Sequence, residues 1–198
     1  MYKRQILRCN ASLLCLDALC RQANGRIRLV LRGRPARDAL PDFDRIVGAN
    51  PHIAFHGAYS YPADLAEIYG GVDLAWLVDR FDAGANSDWL LPNRLYESCA
   101  HGTVPLALAG TETGRTLARR GLGLVLPDLQ PATVATLMAG LDDARLAALR
   151  GAIAKTAMTD WRTSRQECIR LVAQLAGQAD APRTAPQRPR PDQVEIAG

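Results

Sequence analysis

The stretch LAWLV at residues 74–78 is followed by VPLALA at 104–109 and LGLVL at 122–126. Two earlier runs of the same character lie at residues 27–31 and 53–55. Strands that are buried on both faces form short apolar runs of this kind, and helix-length segments between them place the strands in parallel. The pattern therefore predicts an α/β fold, a doubly wound parallel sheet of about five strands with helices on both faces.

The segments between the runs carry helix signals. Helices are predicted to begin near Ala39, Pro62, Pro92 and Thr113. The first helix precedes all five runs and carries a stripe of Leu13, Leu16, Leu19 and Cys20. We expect the chain to open directly into this helix, with no strand before it. Beyond the last run, one helical stripe contains Val134, Leu137, Met138 and Leu141, and a final helix carries Trp161, Ile169, Val172 and Leu175.

The composition divides the chain into three parts. Residues 1–5 (MYKRQ) resemble the translation of a sequencing-library adapter, and we exclude them from the fold. Residues 6–178 are predicted to form one domain. Residues 179–198 are rich in Pro and Arg and contain few large apolar side chains, so we expect a disordered tail.

Charge and composition exclude several classes of partner. The formal charge of +4 arises from 24 basic and 20 acidic residues that are dispersed along the chain, which argues against a nucleic-acid partner. No apolar run approaches the roughly 18 to 20 residues of a membrane helix, and the N-terminus lacks signal-peptide order. The five cysteines form no CxxC pair, which favours reduced thiols. We expect a cytoplasmic location.

Candidate ligand-binding residues lie where strands end. In an open parallel sheet the ligand binds beyond the carboxyl ends of the strands. The residues that follow the runs at these ends include Gly33, Arg34, Gly57, Tyr59 and Glu112. Glycines allow close backbone approach, free amides at helix starts bind anions, and guanidinium groups bind phosphates. A diphosphate would fit at this edge.

One of the loops carries a more specific pattern. The segment LPNRLYE at residues 91–97, followed by Gly102, Val104 and Pro105, resembles the donor-site segment of the GT-B glycosyltransferases that build bacterial exopolysaccharides, similar to glycosyltransferase families 1 and 4. The resemblance implies that the chain is the C-terminal, nucleotide-sugar-binding half of such an enzyme, with a Rossmann-like fold.

The resemblance also implies roles for individual residues. Arg94 matches a basic position that faces the phosphates, and Glu97 matches the carboxylate that holds the ribose, for which a two-oxygen acceptor is suited. These two are the catalytic candidates. The implied donor-binding residues are Gly33, Arg34, Gly57, Tyr59, Asn93, Leu95 and Glu112. Two alternatives stay open: Glu97 could pair with Arg94 within the helix, and Glu112 could cap the next helix instead of contacting the sugar.

Two departures from the family pattern are visible. Many retaining members have a second glutamate eight positions before the residue matched by Glu97, and Trp89 stands there. The sugar-contacting carboxylate is either missing or moved to Asp88, so the retaining and inverting outcomes both stay open. The family's donor domain also begins with a strand and a phosphate loop, and these, with the N-terminal acceptor domain, are expected to be absent from an N-terminally truncated chain.

The implied activity is that of a hexosyltransferase, which transfers a sugar from a nucleoside-diphosphate sugar to a polysaccharide or lipid-linked acceptor. No cofactor or metal is expected, since positive groups and helix dipoles stabilise the leaving diphosphate. The DxD sequence at Asp42–Asp44 is interpreted as a helix start. We expect the chain alone to be inactive, and peripheral membrane association of a full-length enzyme stays open. The alternatives are a nucleotide-sugar epimerase of the same architecture and a non-catalytic nucleotide-binding Rossmann domain.

Overall fold

A computed structural model describes residues 6–176. The predictions for residues 1–5 and 179–198 lie outside the described residues. The described residues divide into two compact units, residues 6–162 and residues 163–176. This division falls inside the range 6–178 that the sequence predicts to be one domain.

The first unit alternates strands and helices. Its strands are β1 (Ile6–Leu7), β2 (Leu29–Leu31), β3 (Arg34–Pro35), β4 (Ile53–Phe55), β5 (Leu74–Trp76), β6 (Val104–Leu108) and β7 (Leu124–Leu126). Its α-helices are α1 (Asn10–Ala23), α2 (Phe43–Ala49), α3 (Leu65–Gly70), α4 (Asn86–Trp89), α5 (Asn93–Ala100), α6 (Glu112–Arg120), α7 (Pro131–Ala139) and α8 (Asp143–Ala154), with a 3-10 turn at Met158–Asp160. The second unit contains α9 (Arg165–Leu175).

Every strand pair in the described residues is parallel. β1 pairs with β3, β2 pairs with β4, and β6 pairs with both β5 and β7. All five residues of β6 are buried. Because successive side chains of a strand point to opposite faces, this burial requires cover on both faces, and α5, α6 and α8 contact the strand. The predicted parallel α/β fold and its five runs are confirmed.

Two details of the predicted sheet are wrong. The sequence predicts no strand before the first helix, whereas β1 lies there and pairs with β3. A two-residue strand is too short to give a periodic signal, which explains why the pattern missed it. The sequence also predicts one sheet, whereas the ladders among residues 6–176 form three sheets, because no described ladder joins the β2–β4 pair to β5.

Helix α1 supports both groups of strands. Its buried face recurs every three or four residues, as an amphipathic helix requires. Leu13 packs in a cluster with Phe43 and Ile53, beside β2 and β4. Leu16 and Leu19 belong to the larger cluster around β5, β6 and β7. The predicted stripe is thus confirmed as a buried face, and it contributes to the two hydrophobic clusters.

The C-terminal helices differ from the prediction. The sequence predicts one helical stripe that includes Leu141, whereas α7 ends at Ala139 and a separate α8 follows. Among the residues of α8, only Ile153 is buried, so this helix lacks the wide apolar stripe that a pattern search detects. Trp161 was assigned to the last helix, but it follows the 3-10 turn and packs in the core of the first unit, edge-on to Tyr96.

Helix α6 begins with a side-chain cap, and we expect this cap to stabilise the domain. Thr111 Oγ1 accepts a hydrogen bond from Gly114 N at 3.0 Å and donates to Leu108 O at 2.7 Å. Thr111→Ala removes both bonds and should lower the free energy of unfolding by about 1 to 2 kcal/mol, the usual cost of losing a buried cap. Urea denaturation measures the change. Thr136→Ala, in the exposed middle of α7, is the control and should have almost no effect; equal losses in both variants would contradict the assigned cap.

Candidate functional site

Two glycine loops meet at the carboxyl ends of β2 and β4. Gly33 follows β2, Gly57 follows β4, and Gly33 N donates a hydrogen bond to Gly57 O at 2.7 Å. Both residues have positive φ, +132° and +70°, which favours glycine over other residues. The structure therefore brings these two predicted residues together. Arg34 follows directly in β3, where its side chain is exposed and its backbone lies beside Ile6.

Helix α5 starts at the carboxyl end of β5. Pro92 is its N-cap residue, and Asn93 is its exposed first residue. Arg94 Nη1 donates to the carbonyl oxygen of Trp76, the last residue of β5, at 3.0 Å. The half-buried guanidinium group and the N-terminus of the helix thus lie at the end of the strand. Both are groups that bind anions.

One turn further along α5, the carboxylate of Glu97 accepts a hydrogen bond from a residue of the neighbouring helix α3. Tyr69 OH, at the end of α3, donates to Glu97 Oε2 at 3.1 Å. The sequence alone allows an ion pair between Arg94 and Glu97 instead. The structure gives each side chain another partner, since Arg94 donates to the carbonyl of Trp76 and Glu97 accepts from Tyr69.

Tyr59 connects the glycine loops to α5. It follows Gly57 by two residues and is half-buried. Burial raises the pKa of the Tyr59 hydroxyl, the negative charge of Glu97 raises it further, and the positive charge of Arg94 opposes the shift. The charges of both α5 side chains therefore act on the Tyr59 hydroxyl. Gly57 and Tyr59 thus follow β4, whereas Arg94 and Glu97 lie on the helix that follows β5.

Glu112 has neighbours within its own helix. Its carboxylate pairs with Arg115 at 2.9 Å and with Arg119 at 3.6 Å, and the hydrogen bond from Arg115 is the main reason that the pKa of Glu112 is lowered. The capping alternative is wrong for this residue, because Thr111 is the residue that caps α6. Contact of Glu112 with a sugar stays a prediction.

Leu95 is predicted to contact the nucleotide-sugar donor, and its surroundings fit this role poorly. Its side chain is 1% exposed and belongs to the main core, and its backbone N–H donates to Pro92 O at 2.9 Å. Leu95 therefore anchors α5 through its side chain. A leucine between polar residues at a helix start gives no sequence signal that separates core packing from ligand contact.

The acidic residues near the site are already paired. Asp88, the alternative position for the missing carboxylate, accepts hydrogen bonds from Arg80 Nη1 at 3.0 Å and from Gly84 N at 2.7 Å. Trp89 itself is largely exposed. These contacts stabilise the loop between β5 and α5. No contact among the described residues indicates whether position 88 or position 89 faces a sugar.

The DxD sequence lies at the start of α2. Asp42 is the N-cap residue, as predicted, but its side chain makes no capping bond and instead accepts from Arg45 Nε at 2.9 Å. Asp44 forms a two-bond pair with Arg37. The carboxylates of Asp42 and Asp44 are thus bound by arginines. The interpretation of the DxD sequence as a side-chain cap of α2 is wrong. Within residues 6–176 no group of three or more His, Cys, Asp or Glu side chains is placed to hold a metal ion.

Sequence reasoning missed Tyr69 and His101 as neighbours of Glu97. The rings of Tyr69 and His101 stack with centroids 5.8 Å apart and planes 10° from parallel. His101 also lies 3.2 Å from the guanidinium of Arg162, and burial, followed by this charge, lowers its pKa. Tyr69 sits four residues after Leu65 on the apolar face of α3, so the pattern predicts burial and says nothing about a hydroxyl partner.

Comparisons with known proteins show which proteins this chain is similar to in sequence and fold. The chain is 45% identical to the succinoglycan biosynthesis protein ExoL of Rhizobium meliloti (strain 1021) over 181 residues, which is 91% of this chain and 45% of that protein. Its fold is similar to that of HepE from Anabaena, solved in complex with UDP (TM-score 0.62, 15% identity, 89% of this chain and 47% of that chain). A glycosyltransferase from Rickettsia africae is also similar (TM-score 0.59, 13% identity, 89% of this chain and 47% of that chain). No protein-family model matches.

These likenesses decide the fold. The chain has the fold of the C-terminal Rossmann-like domain of GT-B glycosyltransferases. It spans about half the length of the relatives it matches. In this domain, the glycine loops, Tyr59 and the start of α5 follow the strand ends, where open parallel sheets bind their ligands. Within the described part of the domain, no helix is both long and apolar enough to cross a membrane.

Proposed function

We propose that this chain is the donor-binding domain of a glycosyltransferase, which transfers a sugar from a nucleoside-diphosphate sugar to a polysaccharide or lipid-linked acceptor. One observation carries the proposal. Arg94 and Glu97 lie one turn apart on α5, at the carboxyl end of β5. A cation at a helix start suits a diphosphate, and a carboxylate one turn along suits vicinal hydroxyls.

The relatives support this function. ExoL is named for succinoglycan biosynthesis, and the HepE structure contains UDP. Because the chain covers 45% of ExoL, the acceptor and the activity of a whole enzyme are part of the proposal. We propose further that the acceptor side of the cleft comes from an N-terminal domain, that the enzyme works in the cytoplasm, and that its full-length form associates peripherally with a membrane.

The proposed reaction is substitution at the anomeric carbon. The bond from this carbon to the phosphate oxygen breaks, a bond to the acceptor hydroxyl oxygen forms, and the hydroxyl proton passes to a base or to solvent. The transition state resembles an oxocarbenium ion, as in glycoside hydrolysis. Negative charge grows on the departing diphosphate, so groups that stabilise this charge accelerate the reaction.

Each residue of the site has a role in this scheme. Arg94 and the free amides of the first turn of α5 stabilise the diphosphate through charge-assisted hydrogen bonds. Glu97 accepts from the ribose hydroxyls. Gly33 and Gly57 let the backbone approach the nucleotide, and Tyr59 closes one side. We propose that no metal ion is needed, because the arginine and the helix start supply the positive charge.

The alternatives gain no specific support. The relatives reported above include a polysaccharide biosynthesis protein and a glycosyltransferase, and neither favours an epimerase. A non-catalytic nucleotide-binding domain would use the same fold and differs in activity alone. The missing glutamate at Trp89 leaves both stereochemical outcomes within the proposal.

A nucleotide panel tests the proposed function. We expect calorimetric titration to detect binding of UDP or GDP, and weaker binding of ADP at the same concentrations. The expected affinity is modest, in the high micromolar range or weaker, since GT-B sites are completed by closure of two domains. A preference for adenine nucleotides, or no nucleotide binding at millimolar concentrations, would contradict the proposal.

Glu97→Gln should weaken binding of the preferred nucleoside diphosphate by about threefold to tenfold. The amide keeps one acceptor oxygen but loses the charge and one acceptor, which is worth about 0.5 to 1.5 kcal/mol. Calorimetry on both proteins measures the ratio. Glu167→Gln is the matched control, because Glu167 belongs to the capping box of α9 and glutamine also serves there. Equal affinities for wild type and Glu97→Gln would show that Glu97 does not take part in binding the nucleotide.

A further inference from the structure

Tyr69 is fixed in place by contacts on several sides. Its side chain is 8% exposed and belongs to the main core. Thr103 Oγ1 donates to the backbone carbonyl of Tyr69 at 2.7 Å, and the ring of His101 stacks on the Tyr69 ring. A ring that is packed and stacked in this way has one orientation, so the direction of its hydroxyl group is also set.

That hydroxyl group points at the carboxylate. Tyr69 OH donates to Glu97 Oε2 at 3.1 Å. Burial raises the pKa of Tyr69 far above its ordinary value, and the neighbouring charge of Glu97 raises it further. The phenol therefore stays protonated at all ordinary pH values and acts as a permanent donor to Glu97.

We propose that Tyr69 is a positioning residue, which holds the Glu97 carboxylate in the orientation that recognises the two vicinal hydroxyls of the ribose. This inference rests on the proposed function, in which Glu97 binds the ribose. A carboxylate offers about four acceptor positions on its two oxygens, and the bond from Tyr69 uses one of them. A glutamate that is already oriented loses less rotamer freedom when the nucleotide binds, and this pre-organisation increases affinity.

Tyr69 also packs in the core, and the test must separate the two roles. Tyr69→Phe removes only the hydroxyl group and keeps the ring that stacks on His101. A positioning role predicts a loss that depends on the ribose hydroxyls. A packing role predicts a loss that is the same for every nucleotide.

The experiment compares UDP with 2′,3′-dideoxy-UDP, which lacks both hydroxyls, for wild type, Tyr69→Phe, Glu97→Gln and the double variant. For Tyr69→Phe we expect UDP to bind about threefold to tenfold more weakly. The dideoxy nucleotide should bind with unchanged affinity. The double variant should bind UDP as Glu97→Gln does, since Tyr69 acts through Glu97 and the two losses are then not additive.

The outcomes distinguish this inference from the proposed function. If Glu97→Gln reduces the preference for UDP over the dideoxy form but Tyr69→Phe leaves it intact, the positioning role is wrong and the role of Glu97 stands. If Tyr69→Phe weakens both nucleotides equally, Tyr69 is structural only. If neither variant changes the preference, Glu97 does not bind the ribose, and the positioning role fails with it.

Discussion

Replacing Gly114 with alanine is expected to destabilise the domain by about 3 kcal/mol or more, at the upper end of the range for overpacked cores. Gly114 lies in the first turn of α6, where the helix passes over the end of β6. A Cβ atom there would collide with the carbonyl oxygen of Leu108 and lie 3.0 Å from its carbonyl carbon. These are backbone atoms of a buried strand, so they cannot move aside as the end of a side chain can. Urea unfolding measures the loss.

Gly151→Ala provides the control for this substitution. Gly151 also lies in a helix, α8, and a Cβ atom there meets no other atom within 4 Å. Alanine should therefore stabilise by about 0.5 to 1 kcal/mol, since it is the better helix former. If the free energy of unfolding of Gly114→Ala lies within about 0.5 kcal/mol of the wild-type value, α6 does not approach β6 as closely as described.

The second large effect concerns the phosphates. Arg94→Ala should weaken UDP binding by about tenfold to a hundredfold, because charge-assisted hydrogen bonds are worth about 1.5 to 3 kcal/mol each. Uridine lacks the phosphates and should lose little affinity, and UMP should fall between the two. Calorimetric or NMR titration with the three ligands measures the trend.

Controls separate the charge of Arg94 from its structural bond to Trp76 O. Arg94→Lys keeps the charge without the planar fork, so its affinity for UDP should be intermediate. Arg145→Ala removes an exposed arginine of α8, outside the predicted site, and should leave binding unchanged. Loss of uridine and UDP affinity by the same factor in Arg94→Ala would show that the substitution disturbs the fold instead of phosphate recognition.

The strands could be predicted because burial on both faces leaves a plain sequence signal. The run at 104–109 becomes β6, Val104–Leu108, nearly residue for residue. The run at 122–126 shortens to Leu124–Leu126. A Cβ atom at Gly123 would collide with Pro105 O, so the chain there is set by the neighbouring backbone and not by the apolar pattern. Tertiary contacts of this kind decide where a strand begins.

The site could be predicted only in part, for a different physical reason. Strand ends are visible in the apolar pattern, which is why Gly57 is predicted, whereas the roles of Arg94 and Glu97 follow from the resemblance of residues 91–97 to a donor-site segment. The sequence does not reveal that Tyr69 bonds to Glu97, because Tyr69 comes from α3, 28 residues earlier in the chain. Its burial follows from helix periodicity, but the direction of its hydroxyl depends on how α3 packs against α5.

A crystal structure of the chain with bound UDP would show whether α5 binds the nucleotide. We expect the diphosphate at the start of α5, with the Arg94 guanidinium and a first-turn amide within hydrogen-bonding distance, about 3.2 Å or less. The ribose hydroxyls should contact Glu97, which keeps its bond from Tyr69. UDP ordered elsewhere on the domain, with Arg94 and Glu97 both out of contact with the nucleotide, would contradict the account.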